Sequence, residues 1–239
     1  MTTATQTVRD IALENPDSIR VFEAFGIDYC CGGRKPLAEA CATKNIAVNQ
    51  VLDALERAGL TPAERPEDWT SKPLGALAAH IVNVHHAYVR KELPRLEELA
   101  AKVVRRHGDT QAQLPAIQSR ITQLAEELLQ HCAKEEVVLF PYITKLERAL
   151  DDGTPKPHGC FESVASPIAM MTQEHDAAGT LIAEMRELSG GFVPPIGACP
   201  TYHAFYNGLR EFEQDLHQHI HLENNILFPR AIALEDHTN

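Results

Sequence analysis

Apolar residues recur at helical spacing in four long segments of the chain, at about residues 74–107, 112–150, 166–189 and 201–234. Gly and Pro residues gather between the second and third segments and again between the third and fourth. No segment shows the sustained alternation of apolar and polar positions that is typical of a half-buried β-strand. The pattern therefore predicts an all-α fold in which four long helices enclose one core.

A shorter helical region precedes these segments. The apolar residues of Ser18–Phe25 follow a helical period, with Ser18 as the predicted N-cap and Gly26 as the predicted stop. Residues 61–73 contain three prolines and many polar side chains, which is typical of a linker. We predict a small helical N-terminal domain at residues 1–62, a linker at 63–73 and a four-helix bundle at 74–239.

One pattern of metal-binding residue types occurs twice. His131 precedes Glu135 by four residues in the second segment, and His219 precedes Glu223 by four in the fourth. A Phe-Pro pair follows each Glu at the same offset. One such His and Glu on a helix is usually a surface pair, but two copies with matched flanks favour a metal site.

Each copy also has a His well upstream, His86 in the first copy and His175 in the second. His85 beside His86 makes the choice ambiguous. The match of Glu98-Leu99 with Glu187-Leu188 places His86 opposite His175, so we expect His85 to be a neighbour of the site and not a ligand. Four His and two Glu thus form two copies of one unit, as a two-metal site on four helices requires.

The candidates lie on the apolar stripe of their helices. In the first helix this stripe is predicted to include Ala79, Val82 and His86, and in the second Glu135 and Val138. All six candidate side chains should therefore point into the core. His217 and His221 flank His219 on other helix faces, where we expect them to face solvent or to support the site.

Buried carboxylates need a counter-charge. One carboxylate without a partner costs several kcal/mol to bury, and two in one small core also repel each other. Metal cations would supply that charge, and a ligand set of imidazole and carboxylate suits iron, with manganese and zinc as alternatives. If both Glu bridge two metals, each metal receives two His and two oxygens, which leaves positions for an oxo or hydroxo bridge and a small ligand.

The composition limits the class of protein. The net charge of −11 argues against a nucleic-acid-binding surface, because phosphate contacts need clustered Lys and Arg. The polar first ten residues do not resemble a signal peptide, and no apolar run approaches the roughly 20 residues that span a bilayer. We expect a cytoplasmic protein without membrane or nucleic-acid partners. Its six Cys residues should be reduced thiols.

The ligand spacing separates two kinds of di-iron bundle. Ferritin-like sites use Glu-x-x-His on two helices, and no such triplet includes these histidines. The chain resembles the hemerythrin-like proteins over about residues 74–234, which implies a hemerythrin-like four-helix bundle. Oxygen-carrying hemerythrins have a fifth His at the site, which the repeat does not supply, so simple oxygen carriage is not expected.

The N-terminal region narrows the resemblance. Asp28-Tyr29-Cys30-Cys31-Gly32-Gly33, followed by Leu37-Ala-Glu-Ala-Cys41, resembles the ScdA-type domain of the iron–sulfur cluster repair di-iron proteins, the RIC family. Tyr206-Asn207-Gly208 and the run from Leu222 to Arg230 are similar to the same family. This resemblance implies a stress-response protein that restores clusters damaged by nitric oxide or oxidants by supplying iron, with nitric oxide reduction as a further activity.

The resemblance also implies the site. Two non-haem iron ions with an oxo or hydroxo bridge would be held by His86, His131, Glu135, His175, His219 and Glu223. The family's acidic residues near these ligands correspond to Glu127 and Glu174, which either line a path for iron or are solvated surface groups. The implied partners are damaged iron–sulfur proteins or a cluster-assembly scaffold, with nitric oxide or oxygen as small ligands; a homodimer is one option.

Cys30 and Cys31 allow two interpretations. Adjacent cysteines close only a strained ring, so we predict an accessible redox or cluster-docking thiol pair; two buried small apolar residues are the alternative. The second functional hypothesis is a module that binds or senses oxygen or nitric oxide reversibly. The Cys-Cys-Gly-Gly motif favours repair, because a simple carrier does not need it.

Overall fold

The computed structural model describes residues 2–59 and 68–237, and within these residues it is helical without strands apart from one isolated bridge between Thr7 and Pro36. The predicted all-α fold is confirmed. The N-terminal region contains α1 (Val8–Glu14), α2 (Ser18–Phe25), α3 (Leu37–Thr43) and α4 (Val48–Gly59). Residues 63–67 of the predicted linker lie outside the described residues.

Four long helices follow, three of them interrupted by a π-helical turn. The first bundle helix comprises α5 (Leu74–Ile81), a π turn (Val82–His86) and α6 (Ala87–His107). The second comprises α7 (Gln113–Lys134), a π turn (Glu135–Leu139) and α8 (Phe140–Asp151). The third is α9 (Ala165–Leu188). The fourth comprises α10 (Pro200–His221), a π turn (Leu222–Leu227) and α11 (Phe228–His237).

The π turns correct the predicted apolar stripe. Ala79 is exposed and Val82 only half-buried, whereas Ile81 is fully buried. Val138 is likewise exposed, and Phe140 is buried instead. A π turn inserts one extra residue into the helix, so the core-facing positions on its far side shift by one. The straight α-helical extrapolation was wrong at these positions for that reason.

The core of the bundle has two apolar layers with a polar layer between them. Each long helix contributes residues to both apolar clusters. In the first helix, Ile81 belongs to one cluster and Val89 to the other, with His86 between them. The same order places His175 between Met171 and Ala178 in the third helix. The candidate ligands therefore lie at the junction of the two layers.

The N-terminal region has its own apolar core, in which α2 packs against α4. Gly26 ends α2 in the left-handed conformation, as predicted, with φ 64°. The predicted N-cap is wrong. Asp17 occupies the cap position, and the Ser18 hydroxyl donates to the Ile11 carbonyl at 3.4 Å, which ties α2 to α1.

Hydrogen bonds join this region to the fourth bundle helix. The Asn225 side-chain amide donates to the Tyr29 carbonyl at 3.0 Å, and the Arg9 guanidinium donates to the Asn225 carbonyl at 3.1 Å. The Tyr29 ring also meets the edge of His221, with the ring centroids 5.4 Å apart. His221 is 4% exposed, so it lies between the two parts of the chain and not in solvent. His217 is half-buried, and its ring is also edge-on to Tyr29.

No helix within residues 2–59 and 68–237 is long and apolar enough to cross a membrane.

At the end of the bundle remote from the N-terminal region's Cys-Cys motif, a buried carboxylate joins three helices. Glu235 accepts hydrogen bonds from the Tyr142 hydroxyl at 2.8 Å, the Ser163 hydroxyl at 2.7 Å and the Val164 amide at 3.0 Å. Burial alone would raise the pKa of Glu235. The three donors and Lys156 lower it by more than burial raises it, so the pKa lies below its ordinary value.

Replacing this carboxylate should destabilise the bundle in a pH-dependent way. A lowered folded-state pKa means that the ionised form stabilises the fold above the unfolded pKa and that this contribution is lost as pH falls. We expect Glu235→Gln to lower the free energy of unfolding by about 2 kcal/mol at neutral pH, measured by urea denaturation with circular dichroism. The difference from the wild type should shrink below about pH 4. Asp236→Asn, at the exposed neighbouring position, is the matched control; an equal loss in both variants would contradict the assignment.

Candidate metal centre

The six predicted ligands come together in the polar layer of the bundle, and every one is buried, with at most 2% of its surface exposed. The first bundle helix contributes His86, the second His131 and Glu135, the third His175, and the fourth His219 and Glu223. Three of these six residues lie in π turns. His86 ends one turn, and Glu135 and Glu223 lie in the other two. Such turns are frequent at functional sites because they re-aim side chains.

One group of donors contains His86, Glu135, His219 and Glu223, whose ligand atoms all lie within 4.8 Å of one another. The Nε2 atoms of His86 and His219 are 3.2 Å apart. Glu135 Oε2 lies 3.3 Å from His86 Nε2, and Glu223 Oε1 lies 3.1 Å from His219 Nε2. Four donor atoms thus surround one point.

The second group contains His131, His175 and the same two carboxylates. The Nε2 atoms of the two histidines are 3.0 Å apart. Glu135 Oε2 lies 3.3 Å from His131 Nε2, and Glu223 Oε2 lies 3.0 Å from His175 Nε2. Both carboxylates are therefore shared between the groups. Each pair of histidines combines one residue from each copy of the sequence repeat.

The electrostatics of this cluster fit bound cations. Neither oxygen of Glu135 accepts a hydrogen bond, and Glu223 Oε2 has no donor either. Burial alone would raise the pKa of Glu223, but the neighbouring His219 and His175 hold it well below its ordinary value. A buried carboxylate without donors is strongly unfavourable unless a positive charge offsets it. The cluster therefore has the donor set of a metal site, since imidazole nitrogens and carboxylate oxygens are ordinary metal donors.

Protons compete with a metal for the same positions. Burial alone would lower the pKa of His86, whereas Cys132 and the carboxylate of Glu135 raise it to about 11. Burial also opposes protonation of His131, but Glu135 and Glu223 raise its pKa to about 9. These imidazoles must lose their protons before they can bind a cation through nitrogen.

Polar side chains hold three of the four rings from behind. His86 Nδ1 lies 2.7 Å from Glu136 Oε1, and His175 Nδ1 lies 2.9 Å from Asn224 Oδ1. Such contacts fix the orientation of the ring, with Nε2 on the side of the shared donor cluster. Sequence reasoning missed Glu136 and Asn224. Each directly follows the ligand Glu of its own copy, so the repeat contained a usable signal.

Glu174, one of the two predicted acidic neighbours, lies behind His131. Its Oε2 is 2.9 Å from His131 Nδ1, and its other oxygen pairs with Lys134. Glu127, the other, is exposed and accepts a hydrogen bond from the Gln123 side chain at 2.9 Å. The structure therefore brings Glu174 to the cluster and leaves Glu127 on the helix surface.

His85 lies beside the cluster but outside both donor groups. Its ring is nearly parallel to that of His219, with centroids 5.6 Å apart and an interplanar angle of 8°. Its Nδ1 lies 3.0 Å from Asp215 Oδ1. In the repeat, His85 occupies the position that corresponds to Glu174. His219 Nδ1 consequently has no hydrogen-bond partner, unlike the other three imidazoles.

Cys30 and Cys31 lie in the N-terminal region and outside the ligand cluster. Both are free thiols, with Cys30 5% exposed and Cys31 half-buried. Their Sγ atoms are 3.7 Å apart. Both residues border a cavity of about 750 Å³ between the N-terminal region and the third and fourth bundle helices. One thiol of the pair is thus buried and the other partly accessible. The structure matches neither a fully accessible thiol pair nor two buried apolar residues.

Four antiparallel helices that present His and Glu from their buried faces define a hemerythrin-type cation-binding protein. A family model described as the hemerythrin HHE cation binding domain matches residues 77–231. A second model, ScdA_N, described as a domain of unknown function, matches residues 4–59.

Comparison with curated proteins identifies the family. The chain is 36% identical to the iron–sulfur cluster repair protein YtfE of Pectobacterium atrosepticum over 230 residues, which cover 96% of this chain and 98% of that protein. It is 38% identical, with the same coverage, to YtfE of Escherichia coli O157:H7. The chain therefore belongs to the YtfE family of iron–sulfur cluster repair proteins, with an ScdA_N region and a hemerythrin-type bundle.

The different positions of Glu174 and Glu127 lead to a paired prediction. Removing a carboxylate that orients a metal-binding imidazole typically weakens metal binding by about 10- to 100-fold. We expect Glu174→Ala to reduce iron affinity by that factor in a chelator competition assay, because His131 loses its partner. Glu127→Ala should match the wild type. Equal losses in the two variants, or none in Glu174→Ala, would contradict this role.

Proposed function

We propose that this protein repairs iron–sulfur clusters damaged by nitrosative or oxidative stress by donating iron from a dinuclear non-haem iron centre. The observation that carries the proposal is the sharing of Glu135 and Glu223 by two four-donor groups. The curated relatives that match over nearly the whole chain are named iron–sulfur cluster repair proteins, which supports the biological role.

Two iron ions account for the geometry. Each donor group provides two imidazole nitrogens and oxygens from both carboxylates. Non-haem iron sites of His and carboxylate commonly keep further positions open. An oxo or hydroxo bridge and a small ligand would complete each ion. Nitric oxide or oxygen are small enough to enter these positions, and reduction of nitric oxide there is a further proposed activity.

Iron that serves as cargo also needs a route out of the bundle. Glu136 and Glu174 each contact a ligand imidazole on one side and a surface cation, Arg90 or Lys134, on the other. Their side chains are 26% and 30% exposed. Partly exposed carboxylates next to the ligands would lower the barrier for a cation that crosses otherwise apolar walls. We propose these two positions as the exits, and a damaged cluster protein or an assembly scaffold in the cytoplasm as the acceptor.

Iron transfer can be tested directly. The protein is loaded with labelled iron, mixed with a cluster protein damaged by nitric oxide, and the acceptor is separated and counted. We expect label in the acceptor together with recovery of its cluster absorbance. Protein without iron is the control for the label, and free iron at equal concentration is the control for specificity.

The opposite result has a clear meaning. Retention of the label, combined with tight and reversible binding of oxygen or nitric oxide, would favour a binding or sensing protein instead. A turnover assay that measures nitrous oxide formed from nitric oxide decides separately whether the protein is an enzyme.

The thiol pair gives a further prediction. If Cys30 and Cys31 serve docking or redox steps, replacing both with Ser should abolish repair while the iron content of the buried centre stays unchanged, because neither residue belongs to that cluster. Cys160→Ser, at an exposed cysteine, is the matched control. Normal repair by the double variant would exclude this role.

A further inference from the structure

The turn that carries the two thiols lies against the third bundle helix. A Cβ atom built on Gly179 would lie 3.8 Å from Cys31 Sγ, which is an ordinary van der Waals distance, so this thiol lies against the helix surface at Gly179. Gly179 follows His175 by one helical turn, about 6 Å along the axis. The Cys31 thiol therefore lies against the third bundle helix about one turn from His175.

Three potential ligand atoms converge at this turn. The Sγ atoms of Cys30 and Cys31 are 3.7 Å apart, and Cys30 Sγ is 3.3 Å from Asp28 Oδ1. One ligand atom from each of the three residues lies within 4.8 Å of the others. Two thiolates bound tetrahedrally to one ion at about 2.3 Å would be about 3.8 Å apart. The observed separation of the two sulfurs matches that arrangement.

The backbone holds the carboxylate in place. Asp28 Oδ1 accepts hydrogen bonds from the amides of Cys30 and Cys31, both at 3.0 Å, and Oδ2 accepts one from Gly32 at 2.8 Å. A Cβ atom on Gly33 would lie 2.5 Å from the Tyr29 carbonyl, so the turn closes this tightly only with glycine there. The Cys-Cys-Gly-Gly motif thus brings both sulfurs and the carboxylate to one side of a closed turn.

We propose that Asp28, Cys30 and Cys31 form a metal site separate from the buried centre, which binds one thiophilic divalent ion such as Fe²⁺ or Zn²⁺ through two thiolates and one carboxylate. A cavity of about 750 Å³ borders all three residues, so a further ligand of the ion would have space there. Binding releases the two thiol protons to solvent and involves no electron transfer. The proposal of this second site does not depend on the proposed iron donation, because it is argued from the geometry of the turn alone.

Cobalt is a suitable probe for this site. Thiolate ligands give Co²⁺ an intense charge-transfer band in the near ultraviolet, whereas imidazole and carboxylate ligands do not. We expect the reduced full-length protein to bind three Co²⁺ per chain and to develop this band. The double variant Cys30→Ser/Cys31→Ser should bind two and lose the band. Cys160→Ser should behave as the wild type.

Two further variants keep the test independent of folding defects. Cys31→Ser changes only the half-buried sulfur and should reduce the band to less than half. Asp28→Asn keeps an oxygen acceptor for the amides of Cys30 and Cys31, loses the hydrogen bond from Gly32 and removes the charge, and should weaken binding of the third ion at least tenfold. A wild-type protein without the band, or a double variant with an undiminished band and three bound ions, would overturn the proposal.

Discussion

Two buried carboxylates, Glu135 and Glu223, set the requirement that the rest of the bundle meets. Both are fully buried, and three of their four oxygens have no hydrogen-bond donor. Such groups are tolerated only next to positive charge, which the surrounding imidazoles and the proposed cations would supply. The polar layer between two apolar clusters follows from this need. The π turns serve it as well, because they aim ligand side chains inward without breaking the helices.

The repeat in the sequence becomes an approximate symmetry of the site, with one informative departure. Glu136 and Asn224 occupy equivalent positions and hold His86 and His175 in the same way. Glu174 holds His131, but its counterpart, His85, stacks on His219 without a hydrogen bond to it. Each donor group therefore contains one imidazole supported by a carboxylate and one that is not. The two groups share their carboxylates but differ in the histidine that no carboxylate supports. His175 contacts the Asn224 amide, whereas His219 lies against the parallel ring of His85.

Much of the site could be predicted because ligand spacing is a local property. Residues four apart on a helix lie on one face, so the two His-Glu pairs were visible in the sequence and their clustering followed. The π turns could not be predicted, because a π turn shifts the helical register without a signature in the residue types. The predicted burial of Ala79 and Val138 failed for that reason. The cross-pairing of His86 with His219 depends on how distant helices pack, which spacing does not encode. Ser18 was mistaken for a cap because its hydroxyl has a tertiary partner, the Ile11 carbonyl.

The central claim is that Glu135 and Glu223 are shared by two metal ions. Anomalous diffraction at the iron edge from crystals of the iron-loaded protein tests it most directly. The account predicts two peaks per chain, one bonded to His86 and His219 and the other to His131 and His175, with both carboxylates bonded to both ions. A single peak, or two peaks of which either lacks Glu135 or Glu223 as a ligand, would contradict it.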